Sequence, residues 1–540
     1  MRDEDGGGGS TGSVVRLETT QLRAALAQLT TLADAVDSQR QQVTQETPIA
    51  VPSLAEGGPA ALTAAWLRDQ QPGLRDLLDL AVLLETHGGT ATYVGTGTFT
   101  DARTRIPTEI VNALDGLDPD DPASRGALAS MEDLLGRYAE DPEIGHEIVE
   151  ELGGTGLVHV FDSLAVDPPS GDASPDEVNA WWSALTPTQQ LAVTLLRGDK
   201  VGNRDGVPAW GRDLANRAQI PLVRKDLEDQ LADLTEGQHG YEPYGRGYYL
   251  EPAEAQEVRD RLAALDSVDS TLDLGGRQLL LLDAYSGDQV HAAVAVGDVD
   301  TADHVSVFTP GFTTTVQGSL KGIDSDMATL RSRAQQELIR NGSLDTVATV
   351  SWLGYDAPQW DGVVFPSQSV ASDDLARSGG DDLAGFYSGI NASREQDPHL
   401  TALGHSYGST TTGFALQHEG TGVDDAIVFG SPGLGTSDRD DLHVPDGHLY
   451  RIEARRDPVA DLAQFGIDPT WLDGVDGLSA KDAEIDGIEY QESTGHSEYL
   501  DDGTTSQHNI AATVAGTGGQ VHDDGHGAGD VLTWWPEWMR

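Results

Sequence analysis

Leu400-Thr-Ala-Leu-Gly-His-Ser-Tyr-Gly-Ser-Thr-Thr-Thr-Gly-Phe-Ala-Leu416 is the stretch on which the reading of this chain turns. Leu400, Ala402 and Leu403 give its first residues the character of a strand, and Thr410, Thr412, Phe414 and Leu416 open a helix. Between the two, Gly404-His-Ser-Tyr-Gly408 fits G-x-S-x-G. A serine on so tight a turn has strained backbone angles, and the residues two positions away on either side must be small for strand and helix to approach. The setting therefore predicts a nucleophile elbow that presents the Ser406 hydroxyl, rather than an ordinary glycine-rich turn.

Around this stretch the chain alternates short apolar runs with longer helical patterns. Gln278–Asp283 and Val290–Val296 read as a pair of strands, followed by strands at His304–Thr309, Thr346–Ser351, His399–Leu403, Asp425–Phe429 and His448–Glu453. Helical stretches at Leu320–Asn341, Asp373–Ser393 and Ser409–His418 fall between them, and Glu484–Tyr490 is a further possible strand. This order predicts a mostly parallel sheet with helices on both faces and reactive groups at the carboxyl ends of its strands.

A serine hydroxyl is a poor nucleophile at neutral pH and needs a base oriented by an acid. On such a scaffold the order is serine, acid, histidine. Asp457, in Arg455-Arg-Asp-Pro-Val459, directly follows a strand that Pro458 would end, which favours it over Asp425, Asp461 and Asp468. His496, in the loop Ser493-Thr-Gly-His-Ser-Glu-Tyr499, is favoured over His508, at an expected helix start, and over His522 and His526 in a Gly/Asp-rich tail. The tetrahedral intermediate needs fixed amide donors. Tyr407 supplies one by position, and Phe312, in Thr309-Pro-Gly-Phe-Thr313 after the third strand, is the natural second. Trp352 and Tyr355, in the segment after Thr346–Ser351, and His405 inside the elbow are the candidate substrate contacts. No metal or organic cofactor is required. Asp115-Gly-Leu-Asp-Pro-Asp-Asp has the composition of a calcium loop, but Pro119 and the missing central glycine spoil it.

Composition narrows the partners. The 540 residues carry 33 Lys and Arg against 89 Asp and Glu, a formal net charge of −56 at pH 7. That excludes general nucleic-acid binding and disfavours an anionic membrane surface. The shortage of positive charge is mostly a shortage of lysine (Lys200, Lys225, Lys321 and Lys481), and a high-GC coding bias accounts for it better than adaptation to salt. With no cysteine, disulfides, thiolate metal sites and cysteine nucleophiles are excluded. The start, Met-Arg-Asp-Glu-Asp and then Gly6–Ser10, has neither the basic opening nor the apolar run of a signal peptide, and no apolar run reaches the ~18 residues of a membrane helix. The expected location is the cytoplasm, with leaderless or processed secretion as the alternative.

Residues 1–13 read as a flexible leader. Helical patterns at Val14–Val43, Pro59–Leu84, Ala127–Tyr138 and Val178–Arg197, with little strand alternation before residue 270, predict an α-helical domain over 14–265 and a catalytic domain over 266–540. The Val201-Gly-Asn-Arg-Asp-Gly-Val-Pro208 segment is either a helix-to-helix connector or a loop over the active-site mouth. Trp534, Trp535 and Trp538 are expected to dock on the fold.

Together these residues resemble an actinobacterial α/β-hydrolase family long filed as a domain of unknown function, number 1023. The segments carrying the resemblance are GHSYGS (404–409), SPGLG (431–435), DPV (457–459) and GHSEY (495–499), preceded by WWSAL (181–185), VGNRDGVP (201–208) and DLANR (213–217). Arg204 stands where that family is expected to have leucine. The resemblance covers roughly residues 180–500 and implies the α/β-hydrolase fold and a Ser406–Asp457–His496 triad, without a substrate. The expected activity is hydrolysis of a small-molecule carboxylic ester by acyl transfer. An amidase or peptidase on the same scaffold, and a non-catalytic binding or effector module, are the alternatives.

Overall fold

A computed structural model describes residues 165–235, 253–359, 373–459 and 465–522. The leader, the helices expected between residues 14 and 138, Asp461, His526 and the C-terminal tryptophans lie outside those residues. The first described elements are α1 (Pro175–Ser183), α2 (Pro187–Leu196), a single turn α3 (Gly198–Val201), α4 (Ala209–Thr235) and α5 (Ala253–Leu272). Where one helical patch is expected over 178–197, there are two helices. Ser174 and Thr186 each build a capping box, with Glu177 and Gln189, and a proline stands at the start of both helices. Such a start also stops the helix before it, because Pro187 has no N–H to continue the ladder.

The sheet follows: β1 (Arg277–Asp283), β2 (His291–Val296), β3 (His304–Thr309), α6 (Val316–Arg340), β4 (Val347–Leu353), α7 (Asp374–Ala392), β5 (His399–His405), α8 (Tyr407–Leu416), β6 (Asp425–Phe429), β7 (Leu449–Ile452) and β8 (Asp476–Leu478). Its order is β1-β2-β4-β3-β5-β6-β7-β8. β1 and β2 run antiparallel, β2 meets β4 antiparallel, and every pairing from β4 to β8 is parallel. The strands expected at 304–309 and 425–429 match β3 and β6 residue for residue. β3, β4 and β6 are buried along their whole length, as strands covered on both faces must be. The possible strand at 484–490 is instead a hairpin of β9 (Ala483–Ile485) and β10 (Ile488–Tyr490). Asp486 and Gly487, both at positive φ (52° and 80°), turn it, because an Asp-Gly pair favours the two-residue turn that matches strand twist. The last described helix is α9 (Thr505–Val514). No helix among the described residues is long and apolar enough to cross a membrane.

The helices before the sheet share its core. Ile220, Leu227, Val258, Leu265 and Val268 pack with Leu279, Ala292, Val294 and Leu353 in one buried cluster. Polar side chains from the same region close the outer edge of β1. Asn203 pairs with Leu282 through both its amide groups (2.8 Å each), Asp213 accepts from the Leu279 amide (2.6 Å), and Asn216 donates to the Leu279 carbonyl (3.1 Å). Arg217 donates to the Arg277 carbonyl (2.7 Å). A register shift between Leu279 and Leu281 lets positions three apart face the same way. The VGNRDGVP segment is thus a connector seated on β1, with Asp205 held by Arg212 (3.0 Å).

Asp213 is fully buried and also accepts from Arg217 (2.7 Å). Replacing it strands a buried N–H and leaves Arg217 without its counter-ion. Asp213→Ala is expected to lower the unfolding free energy by about 3 kcal/mol in urea titration.

Candidate active site

β5 ends at His405, α8 begins at Tyr407, and Ser406 stands between them at φ 56° and ψ −132°. A non-glycine residue held there costs roughly 1–3 kcal/mol, so the surroundings must impose it. The Ser406 amide donates to the Phe429 carbonyl (3.1 Å), tying the turn to the end of β6, and its carbonyl accepts from the Ser409 amide and hydroxyl. The Ser409 hydroxyl also reaches Ser431 (2.7 Å), and Thr410 donates to the Gly433 carbonyl, so the SPGLG segment underpins the elbow helix. The two elbow glycines serve different approaches. A methyl on Gly404 would lie 2.7 Å from the Ser409 Cα, on the helix, whereas one on Gly408 would lie 2.2 Å from the Thr309 carbonyl oxygen, on the loop after β3.

That loop rests on the elbow. A methyl on Gly311 would meet the Ser406 Cβ at 2.7 Å and the Tyr407 nitrogen at 2.8 Å. The backbone of Gly311 and Phe312 therefore runs beside the first turn of α8, where N–H groups concentrate positive potential. Tyr355 donates its hydroxyl to the Pro310 carbonyl (2.7 Å) and stacks between Trp352 and Tyr407. Trp352 and Tyr355 are buried and anchor the loop from below. They also line a cavity of about 480 Å³ with Asp205, His291, Asp356 and Phe386, which none of Ser406, Asp457 and His496 lines.

β7 leads through Ala454 into a turn with Arg456 at φ 69°, which aims Asp457 inward. The loop carrying His496 runs alongside, with the Gly495 amide on the Arg455 carbonyl (2.9 Å). His496 Nδ1 lies 2.9 Å from both Asp457 oxygens, which also accept from the Val459 amide (2.9 Å) and the Tyr499 hydroxyl (2.6 Å). Burial pushes the Asp457 carboxyl up, but the hydrogen bonds from His496 and Tyr499 outweigh it and hold the group below its ordinary range. It is ionised at neutral pH, so in the neutral ring Nδ1 carries the proton and Nε2 is left as the acceptor nitrogen. Gly430, at φ 57° directly after β6, makes room for the pair. A methyl there would sit 2.8 Å from Asp457 Oδ2 and 3.0 Å from the imidazole.

Of the residues singled out from sequence, Asp457 and His496 are in direct contact. Ser406 is joined to them through its neighbour His405, whose ring centroid is 4.8 Å from that of His496, and its hydroxyl makes no hydrogen bond to the ring. Such bonds often tighten only when substrate binds. His405 turns toward the histidine loop, with Nε2 2.8 Å from the His496 carbonyl oxygen. A carbonyl only accepts, so Nε2 bears the proton. Of the rival residues, Asp425 binds His399 and His448 (2.7 Å each), Asp468 caps a short turn, and His508 faces the Gly519 carbonyl. Sequence reasoning missed Tyr499 and Gly430. Tyr499 lies inside the quoted GHSEY motif and Gly430 just before SPGLG, so proximity to motifs was the available signal.

Burial and the nearby His496 push the His405 imidazole down to about 4. The unfolded chain takes up this proton near 6.5 and the folded chain does not, so stability present above that pH drains away as pH falls toward 4. Between about pH 7 and pH 5 the native protein is expected to lose on the order of 2 kcal/mol on this account. His405→Gln should show a correspondingly flatter pH dependence in urea unfolding.

A family model described as alpha/beta hydrolase matches residues 286–467. The chain is 38% identical over 229 residues to the uncharacterized protein Rv0963c of Mycobacterium tuberculosis, covering 41% of this chain and 84% of that protein. Uncharacterized protein Mb0988c of Mycobacterium bovis matches to the same extent. Uncharacterized protein Rv2079 of Mycobacterium tuberculosis is 27% identical over 399 residues, 66% of this chain and 58% of that protein. The matched segment holds the β3 loop, the elbow and the acid turn in the order and topology described above, and the chain belongs to the alpha/beta hydrolase family.

Proposed function

We propose that this protein is a serine hydrolase that cleaves a small-molecule carboxylic ester through Ser406, His496 and Asp457. The observation that carries the reading is the strained Ser406 turn at the end of β5, beside the half-buried His496 ring hydrogen-bonded to the buried Asp457 carboxylate after β7. Strain of that kind persists only where the surroundings impose it, and here it lifts a hydroxyl out of the sheet. Within the family, the ordered motifs GHSYGS, SPGLG, DPV and GHSEY favour the narrower actinobacterial grouping numbered 1023.

In this reading His496 Nε2 takes the Ser406 proton as the oxygen attacks the ester carbonyl. The imidazolium is stabilised by Asp457 and returns the proton to the leaving alcohol. A water then repeats the sequence on the acyl-enzyme, with the same imidazole as base. The tetrahedral oxygen lies between the Tyr407 amide, in the first turn of α8, and the Phe312 amide. Gly311 supports this pairing, since any larger residue there would hold the two segments apart. Trp352 and Tyr355 contribute by fixing the loop that carries Phe312, and His405 by fixing the loop that carries His496.

Ser406→Ala is expected to cut turnover of a short-acyl nitrophenyl ester by about 10⁴-fold or more while thermal unfolding stays cooperative. A fluorophosphonate probe should label the native protein at Ser406. Retained turnover in the variant would refute the assignment, and absent labelling would favour a binding module. Matched ester and amide substrates separate an esterase from an amidase.

A further inference from the structure

We infer that Tyr499 is a positioning residue of this site, its hydroxyl setting how much of the Asp457 charge His496 receives. The inference rests on the hydrolase reading above. The Tyr499 side chain is buried, and its hydroxyl has two partners 45 and 42 residues away in the chain. The Ala454 amide donates to the hydroxyl oxygen (2.9 Å), and an amide can only donate. The hydroxyl hydrogen is therefore free to point along the 2.6 Å contact to Asp457 Oδ2. A short O–H···O⁻ bond is among the stronger hydrogen bonds in proteins. The same carboxylate also receives the Val459 amide and His496 Nδ1.

Two consequences follow from this arrangement. First, the hydroxyl bridges the acid turn and the histidine loop at the carboxylate, beside the imidazole itself. It fixes the rotation of the Asp457 carboxylate, and with it the plane of the imidazole. Second, it competes with the imidazole for negative charge. Asp457, Tyr499, His405 and His496 are the titratable side chains packed at this point, and Glu453 on the exit of β7 faces the tyrosine. Burial and the Asp457 charge push the Tyr499 hydroxyl far above its ordinary range, so it remains a donor throughout the working range of pH. A stronger donor at 499 leaves less charge to hold a proton on His496, and a missing donor leaves more.

The test is the pH dependence of kcat/KM on a short-acyl nitrophenyl ester, for the full chain and its Ser406→Ala and Tyr499→Phe variants. In Tyr499→Phe, kcat is expected to fall about ten-fold with KM little changed. The acid limb of kcat/KM should move to higher pH. 3-Fluorotyrosine at 499 keeps the ring and sharpens the donor, so its acid limb should move to lower pH. It also serves where the phenylalanine variant fails to fold. The downfield proton resonance of the His496–Asp457 hydrogen bond should shift in both, independently of turnover. A purely structural tyrosine would change stability and leave limb and resonance in place, and that result overturns the inference. Turnover surviving in Ser406→Ala removes the hydrolase reading and this inference together. A dead Ser406→Ala beside an unmoved limb removes Tyr499 alone.

Discussion

A carboxylate held almost entirely out of water is the constraint around which the edge of the sheet at Ser406 is organised. Ionised Asp457 can stay buried only if donors replace its lost hydration. The imidazole, the phenol and one backbone amide do so, and each comes from a different place in the chain or a different kind of group. Meeting that demand fixes the path of two loops. The acid turn must bend through a left-handed residue, Arg456, and the histidine loop must run parallel to it, joined at Arg455 and Gly495. Gly430 then has to be bare, because both side chains cross its backbone. The strained Ser406 turn is tied to the same place through the Ser406–Phe429 hydrogen bond. Geometry that looks like a set of separate local choices is, in large part, the solvation of one charge.

The aromatic residues near the elbow act through the backbone. Tyr355 holds the Pro310 carbonyl, His405 holds the His496 carbonyl, and Tyr499 receives the Ala454 amide. In each case a ring fills space while its polar tip pins a loop beside Ser406 or the Asp457–His496 pair. Sites built on loops are less exact than sites built on strands, and such anchors make up the difference.

Local pattern made the core of this arrangement readable from sequence. β3 alternates apolar residues at Val305 and Val307, β6 is apolar after Asp425, and both are short and bounded by turn residues, which is why their ends coincide with expectation. The elbow was readable because strand, turn and helix signals fall within seventeen residues of each other. The rest is hidden by punctuation or by distance. Thr186-Pro187 and Asp486-Gly487 are turn signals inside stretches whose pattern otherwise reads as one element. Tyr499 and His405 could not be assigned their contacts, because those join residues 42 and 91 positions apart and depend on which way a ring turns. Trp352 and Tyr355 sit at the expected strand end, but strand position alone does not say whether a side chain faces a substrate or the underside of a loop.

The side chains along β1 bear on how copies of this protein meet. An edge strand normally offers a ladder of unused amides and carbonyls to any extended segment that drifts past. Here Asn203, Asp213, Asn216 and Arg217 already occupy the amides of Leu279 and Leu282 and the carbonyls of Arg277, Leu279 and Leu282. A second sheet approaching from that side would have to evict four side chains before gaining its first rung. The helical segment ahead of the sheet therefore acts as a chemical selvedge, and it keeps this border from growing into a shared sheet.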